Sequence, residues 1–128
     1  MNKIKKEIIS SATSGIEESP PDTIKQRYRF SPDFIGFSGH FPGNPILPAF
    51  VQILMALTLT ENYKGCPLKA AGVEKAKFRI PLQPDQEIEV SCRQRTADKL
   101  TGCDARLTVS EGLAASFRIS FFAKENGQ

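Results

Sequence analysis

Apolar and polar residues alternate without a break from Glu87 to Arg93: Ile88, Val90 and Cys92 fall on one side and Glu87, Glu89, Ser91 and Arg93 on the other. A period of two marks a strand with one buried and one wet face. Similar runs cover residues 68–81 (LKAAGVEKAKFRIP), 100–110 (LTGCDARLTVS) and 113–124 (LAASFRISFFAK). Between the runs stand Pro84-Asp85, Ala97-Asp98-Lys99 and Glu111-Gly112, residues suited to antiparallel turns. Residues 3–13 and 23–30 mix β-formers with polar residues across a GIEESPPD connection, which predicts two more antiparallel strands.

Residues 49–62 (AFVQILMALTLTEN) break this rhythm. They are apolar almost all the way round, with Gln52 the only strongly polar side chain before Glu61, so they predict a helix buried on most sides. Pro48 suits its first turn and Gly65 its end. Ahead of it, residues 31–48 hold Pro32, Pro42, Pro45 and Pro48 with Gly36, Gly39 and Gly43, too much punctuation for regular structure. Ordered loops of this length usually carry function. The expected fold is α+β, a curved antiparallel sheet wrapped around one long apolar helix, in a single domain spanning residues 1–128. Such a sheet leaves open edges. A homodimer that continues the sheet, or a higher oligomer of such dimers, would cover one of them.

Size and charge narrow the function classes. At 128 residues the chain builds one core and not two. The net charge of +3 is spread along the chain with no basic block, which argues against nucleic-acid binding. Lys64, Lys69, Lys75, Lys77 and Arg79 do fall close together, and suit either a solvated face or a partner carrying acidic groups or a phosphate. Cys66, Cys92 and Cys103 are odd in number, contain no C-x-x-C pair and have one histidine to complete a site, so neither a disulfide framework nor a metal is expected. The first residues lack the apolar stretch of a secretory signal, and no window is long and apolar enough to span a bilayer. The expected location is the cytoplasm, with no membrane contact and no cofactor.

The chemistry centres on GHFPGNPILPAFVQIL, residues 39–54, which contains His40, the only histidine in the chain. Glycine before it and FPGNP after it constrain the backbone. The helix that begins a few residues later offers unpaired N–H donors and a positive dipole end. A held imidazole beside backbone donors has the parts of a general base next to an oxyanion site.

GHFPGNPILPA resembles the signature of the FabA/FabZ-type β-hydroxyacyl-acyl-carrier-protein dehydratases, which have the hotdog fold. Their pattern H-F-P-G-x-P-x-x-P-G is matched at His40, Phe41, Pro42, Gly43, Pro45 and Pro48, and AGVEKAKFRIPLQPDQEIEV is similar to the strand–turn–strand after the family's central helix. The resemblance runs over roughly residues 30–125 and implies a lyase of fatty acid biosynthesis acting on 3-hydroxyacyl thioesters. By it, His40 removes the α-proton and the backbone N–H of Ala49, where the family usually has glycine, polarises the thioester carbonyl. The family's helix carboxylate, given across a dimer interface, falls on Leu54, and the amide one turn further along falls on Thr58. Gln52 is a possible polar helper, and Asp33, Glu61 and Glu74 are other carboxylates to weigh. An acyl tunnel would be lined by Phe50, Ile53, Leu54 and Leu57. The implied partners are an acyl carrier protein or an acyl-CoA thioester. Two alternatives stay open: a hotdog thioesterase, and a non-catalytic acyl-thioester-binding subunit whose partner supplies the acid.

Overall fold

The computed structural model describes residues 3–37, 43, 45–97 and 100–123. Along the chain come α1 (Lys3–Ser10), β1 (Glu17–Ser19), β2 (Thr23–Arg29), a single 3-10 turn (Ile35–Phe37), α2 (Ala49–Lys64), β3 (Leu68–Phe78), β4 (Glu87–Ala97), β5 (Leu100–Val109) and β6 (Gly112–Ala123). The six strands form one sheet in the order β1-β2-β4-β5-β6-β3, with every pairing antiparallel. The alternation read in β4 sets the layers: Val90 lies opposite Gln26 and Leu107, and Cys92 opposite Ile24 and Ala105. One face thus collects Ile24, Tyr28, Ile88, Val90, Cys92, Cys103, Ala105, Leu107, Phe117, Ile119 and Phe121, all buried. On that face α2 buries Val51, Gln52 and Met55 through Thr60, and packs on β2, β3, β4 and β6. Burying each large apolar side chain contributes about 1.5–3 kcal/mol, so the sheet–helix seam is the main source of stability.

The N-terminal stretch departs from the strand expected over residues 3–13, because residues 3–10 are helical. The reason is spacing: Ile4 and Ile8 stand four apart, one helical turn, and Ile8 is fully buried while Ile4 packs at the core's rim. Ser11 closes the helix, its N–H and hydroxyl both donating to the Glu7 carbonyl at 3.1 and 2.7 Å. The first strand is instead the short β1, inside the segment expected to be a connection, and it pairs with β2 through Glu17–Lys25 to Ser19–Thr23.

Helix α2 stops where Gly65 takes a left-handed φ of 72°, its N–H donating to the Glu61 carbonyl at 2.8 Å. Only glycine adopts that conformation without cost from a side chain. Among the described residues, Cys66, Cys92 and Cys103 are free thiols. Cys92 is fully buried, and both the hydrogen bond it donates to Cys103 and its burial push its thiol pKa up.

Strand β3 is an edge of the sheet and is exposed along almost its whole length. Its register with β6 points Val73 and Phe78 to the α2 side of the sheet, yet they are 40% and 44% exposed. On β5, a Cβ added at Gly102 would come 2.4 Å from the Ile119 backbone oxygen. Backbone cannot yield as a flexible side chain does. Gly102→Ala is therefore expected to lower stability by about 1–3 kcal/mol, measured by denaturant unfolding; an unchanged midpoint would show that β5 and β6 separate freely.

Candidate functional site at the start of the long helix

His40 and its neighbours Phe41 and Pro42 lie outside the described residues. From Pro45 onward the path into the helix is defined. Leu47, buried, donates its N–H to the Leu82 carbonyl at 2.8 Å, which ties the loop to the β3–β4 connection. Pro48 takes an extended cap conformation (φ −68°, ψ 159°) with no side-chain cap bond, and its carbonyl accepts from Val51 and Gln52. A proline cap has no side-chain oxygen to offer the first amides. Hence the N–H groups of Ala49 and Phe50 have no acceptor among the described residues, and they lie at the positive end of a helix of 16 residues.

Gln52 is more deeply placed than a helix-surface residue, at 5% exposure. Its Nε2 donates to the Leu47 carbonyl at 3.2 Å, while its buried Oε1 has no partner among the described residues. The amide therefore does two things: it holds the loop–helix junction, and it keeps one acceptor free. Leaving a buried acceptor unpaired costs about 1–3 kcal/mol unless an O–H or N–H donor arrives. Thr58 is also buried, and its Oγ1 has no partner among the described residues.

Phe50, Ile53, Leu54 and Leu57 fall at i, i+3, i+4 and i+7 and share one side of α2. That side grades from Phe50, 56% exposed, through half-buried Ile53 and Leu54 to buried Leu57. Leu54 packs against the rim of the core with a side chain that can neither give nor take a proton. Val73 and Phe78, on the α2 side of β3, are likewise apolar side chains that the chain's own sheet leaves partly uncovered.

The other carboxylates are occupied elsewhere. Glu61 accepts Lys5 Nζ at 3.1 and 3.3 Å and the Leu68 N–H at 2.8 Å, joining α1, α2 and β3. Asp33 accepts from the Ser31 hydroxyl on an exposed turn. Glu74 is exposed on β3 opposite Arg118, on the sheet face away from α2. Glu61→Ala is accordingly expected to cost about 1–3 kcal/mol through the lost ion pair and the unpaired Leu68 N–H, and to leave turnover per folded molecule unchanged. A loss of turnover with an intact melting curve would instead make Glu61 the missing acid.

The basic residues grouped after α2 do not form one cluster: Lys64 ends the helix, while Lys69 and Lys77 are on the outer side of β3 with Lys75 in an irregular stretch between them. Among the described residues no group of His, Cys, Asp and Glu is arranged to hold a metal ion, and no helix is long and apolar enough to cross a membrane.

Comparison with known proteins places this geometry. The profile of the ApeI-like family, described as ApeI dehydratase, matches residues 16–116. The 3-hydroxyacyl-[acyl-carrier-protein] dehydratase FabZ of Koribacter versatilis is 41% identical over 66% of this chain and 60% of its own length. In three of the curated dehydratases it matches, the chain spans between 41% and 63% of their length. Among solved structures, the dehydratase heterocomplex ApeI:P from Xenorhabdus doucetiae superposes with a TM-score of 0.73 at 21% identity, covering 86% of this chain and 95% of that one. A hypothetical thioesterase protein with coenzyme A from Streptococcus pneumoniae superposes at 0.67 with 11% identity, covering 94% of each chain. Likeness at such low identity shows a shared fold and nothing further.

Proposed function

We propose, from the premise that the chain belongs to the ApeI-like dehydratase family, that it interconverts 3-hydroxyacyl and enoyl thioesters, with His40 as the base. The reading is supported by one juxtaposition: the H-F-P-G-x-P-x-x-P run leads directly into the start of α2, where the Ala49 and Phe50 amides have no acceptor among the described residues. In this scheme the sheet wraps α2 in the hotdog manner. The Ala49 N–H donates to the thioester carbonyl oxygen, so that negative charge gathering there as the α-proton leaves is met by a fixed dipole. His40 takes that proton, the C3–O bond breaks, and the hydroxyl departs as water after receiving a proton. Gln52 contributes its free Oε1 as an acceptor for the substrate hydroxyl or a water, while its Nε2 keeps the junction in place. The acyl chain runs along Phe50, Ile53, Leu54 and Leu57.

The exposed apolar side chains of Val73 and Phe78 on edge strand β3 support assembly with a second chain along that strand. In a homodimer the position facing the site would be Leu54, and the leaving hydroxyl would then receive its proton from water. A second reading starts from that residue: this chain supplies the histidine and the polarising amide, and a different hotdog subunit supplies the acid; the Xenorhabdus doucetiae dehydratase that it resembles in fold is a heterocomplex. A cytoplasmic enzyme of fatty acid biosynthesis fits both readings.

The test is product analysis with purified protein and a short 3-hydroxyacyl thioester. Enoyl thioester, formed reversibly from either side, is the expected product. Free thiol with no enoyl product would select the thioesterase. No conversion alone, with conversion restored by adding the partner subunit, would select the heteromeric reading.

A further inference from the structure

The apolar side of α2 is open at its start and closed one turn past Leu57. Phe50, Ile53, Leu54 and Leu57 continue along the helix surface to Glu61, four residues on from Leu57. There the apolar line ends on a clasp. The Glu61 carboxylate accepts Lys5 Nζ of α1 at 3.1 and 3.3 Å and the N–H of Leu68, the first residue of β3, at 2.8 Å. The Lys5 and Glu61 side chains are only 22% and 14% exposed, so each charge depends on the other in place of most of its water. The closure is made within one chain by α1, α2 and β3, and does not depend on what covers the open side. Helix α1 also lies ahead of residues 16–116, the part that the family profile matches.

An apolar tail gains about fourfold in affinity for each methylene that leaves water for an apolar surface. At the clasp that gain stops. Methylenes pushed into it would strip the remaining water from an ion pair and part the Leu68 N–H from its acceptor. The helix sets the distance available before this point. From Ala49 to Leu57 it rises about 12 Å, and helical side chains lean toward the N-terminus, which brings Glu61 back over the turn of Leu57. An extended hydrocarbon advances about 1.25 Å per carbon. About ten carbons, counted from a carbonyl at the Ala49 N–H, therefore fill the path.

We infer that the ion pair of Lys5 and Glu61 is the end stop of the acyl path and restricts this chain to medium-length acyl groups, of about ten carbons or fewer. The inference rests on the proposed course of the acyl chain along α2. Lys5 and Glu61 act on which tail enters, at the end of the path away from the Ala49 amide, and take no part in the bond-breaking steps.

Titration calorimetry with 2-oxoalkyl-coenzyme A thioethers tests this, because these compounds keep a carbonyl and can be neither cleaved nor dehydrated. With tails of six to fourteen carbons, affinity is expected to rise about fourfold per methylene up to about ten carbons and then to level off or fall. In the double variant Lys5→Met, Glu61→Gln the new amide still accepts the Leu68 N–H while both charges are gone. Its ratio of twelve-carbon to six-carbon affinity is expected to exceed that of the unaltered chain about tenfold. Lys5→Met alone should move the ratio in the same direction, and serves if the double variant does not fold. Lys6→Met removes a charge from the exposed side of α1 and should leave the ratio unchanged. A break at the same length in the clasp variants, a steady rise to fourteen carbons in the unaltered chain, or an equal shift in Lys6→Met would overturn the inference. Turnover of 3-hydroxyacyl thioesters with no break in chain length would sink the end stop and keep the chemistry. A break seen in a chain without turnover would sink the chemistry and keep the end stop.

Discussion

Replacing His40 by alanine is expected to lower turnover of a 3-hydroxyacyl thioester by about 10²–10⁴-fold, the usual contribution of a positioned general base. The loss should appear in kcat more than in KM, because the imidazole acts on the reacting proton while the Ala49 amide and the apolar side of α2 still hold the substrate. Melting should change little, since the packed core is built by α2 and the strands. Equal turnover in the two proteins, measured by enoyl absorbance, would remove His40 from the chemistry.

Leu54→Glu is expected to act in the opposite direction. Leu54 is half-buried on the open apolar side of α2. A carboxylate there would sit where its charged form is poorly solvated, and burial raises a carboxyl pKa toward the range in which it can donate a proton near neutral pH. In a homodimer it would supply the proton that the leaving hydroxyl lacks, and turnover is expected to rise by about tenfold or more. Lost apolar burial sets against this a stability cost of about 1–3 kcal/mol. The gain should vanish in the double variant with His40→Ala, since an acid without a base cannot complete the elimination. Flat turnover in Leu54→Glu, with activity appearing only when a second subunit is added, would show that the acid comes from a different chain.

Much of this architecture is visible in residue order, and the failures are local. The period of two in β4, β5 and β6 is strong because each strand has one face on the core, so Ile88, Val90 and Cys92 announce their own burial. Helix α2 is legible for a related reason: its apolar residues bury most of its length against the sheet, although the side carrying Phe50, Ile53 and Leu54 stays partly open, and Pro48 and Gly65 mark both its ends. The N-terminal segment misleads because KIKKEIIS is short and holds β-branched residues, and only the contact of Ile8 with the core decides for helix. Strand β1 is three residues long, too brief for any period to show.

In the candidate site, the motif and the position of Leu54 can be read directly, whereas the environment of Gln52 cannot. A polar residue in an apolar helix suggests either an exposed flank or a satisfied interior amide. Here a loop carbonyl folds over its Nε2 while Oε1 stays unpaired. The lysines grouped after α2 draw notice in the sequence, yet the fold divides them, Lys64 ending the helix while Lys69 and Lys77 stand on the outer side of β3.

The most direct measurement is a structure of the protein with an unreactive 3-hydroxyacyl thioester analogue bound. The account predicts the analogue's carbonyl oxygen at about 3 Å from the Ala49 nitrogen, its chain along Phe50 to Leu57, and the His40 ring against the C2 hydrogen. An analogue held elsewhere, or held at the start of α2 with His40 turned away from it, would contradict the assignment of acyl chemistry to this helix end.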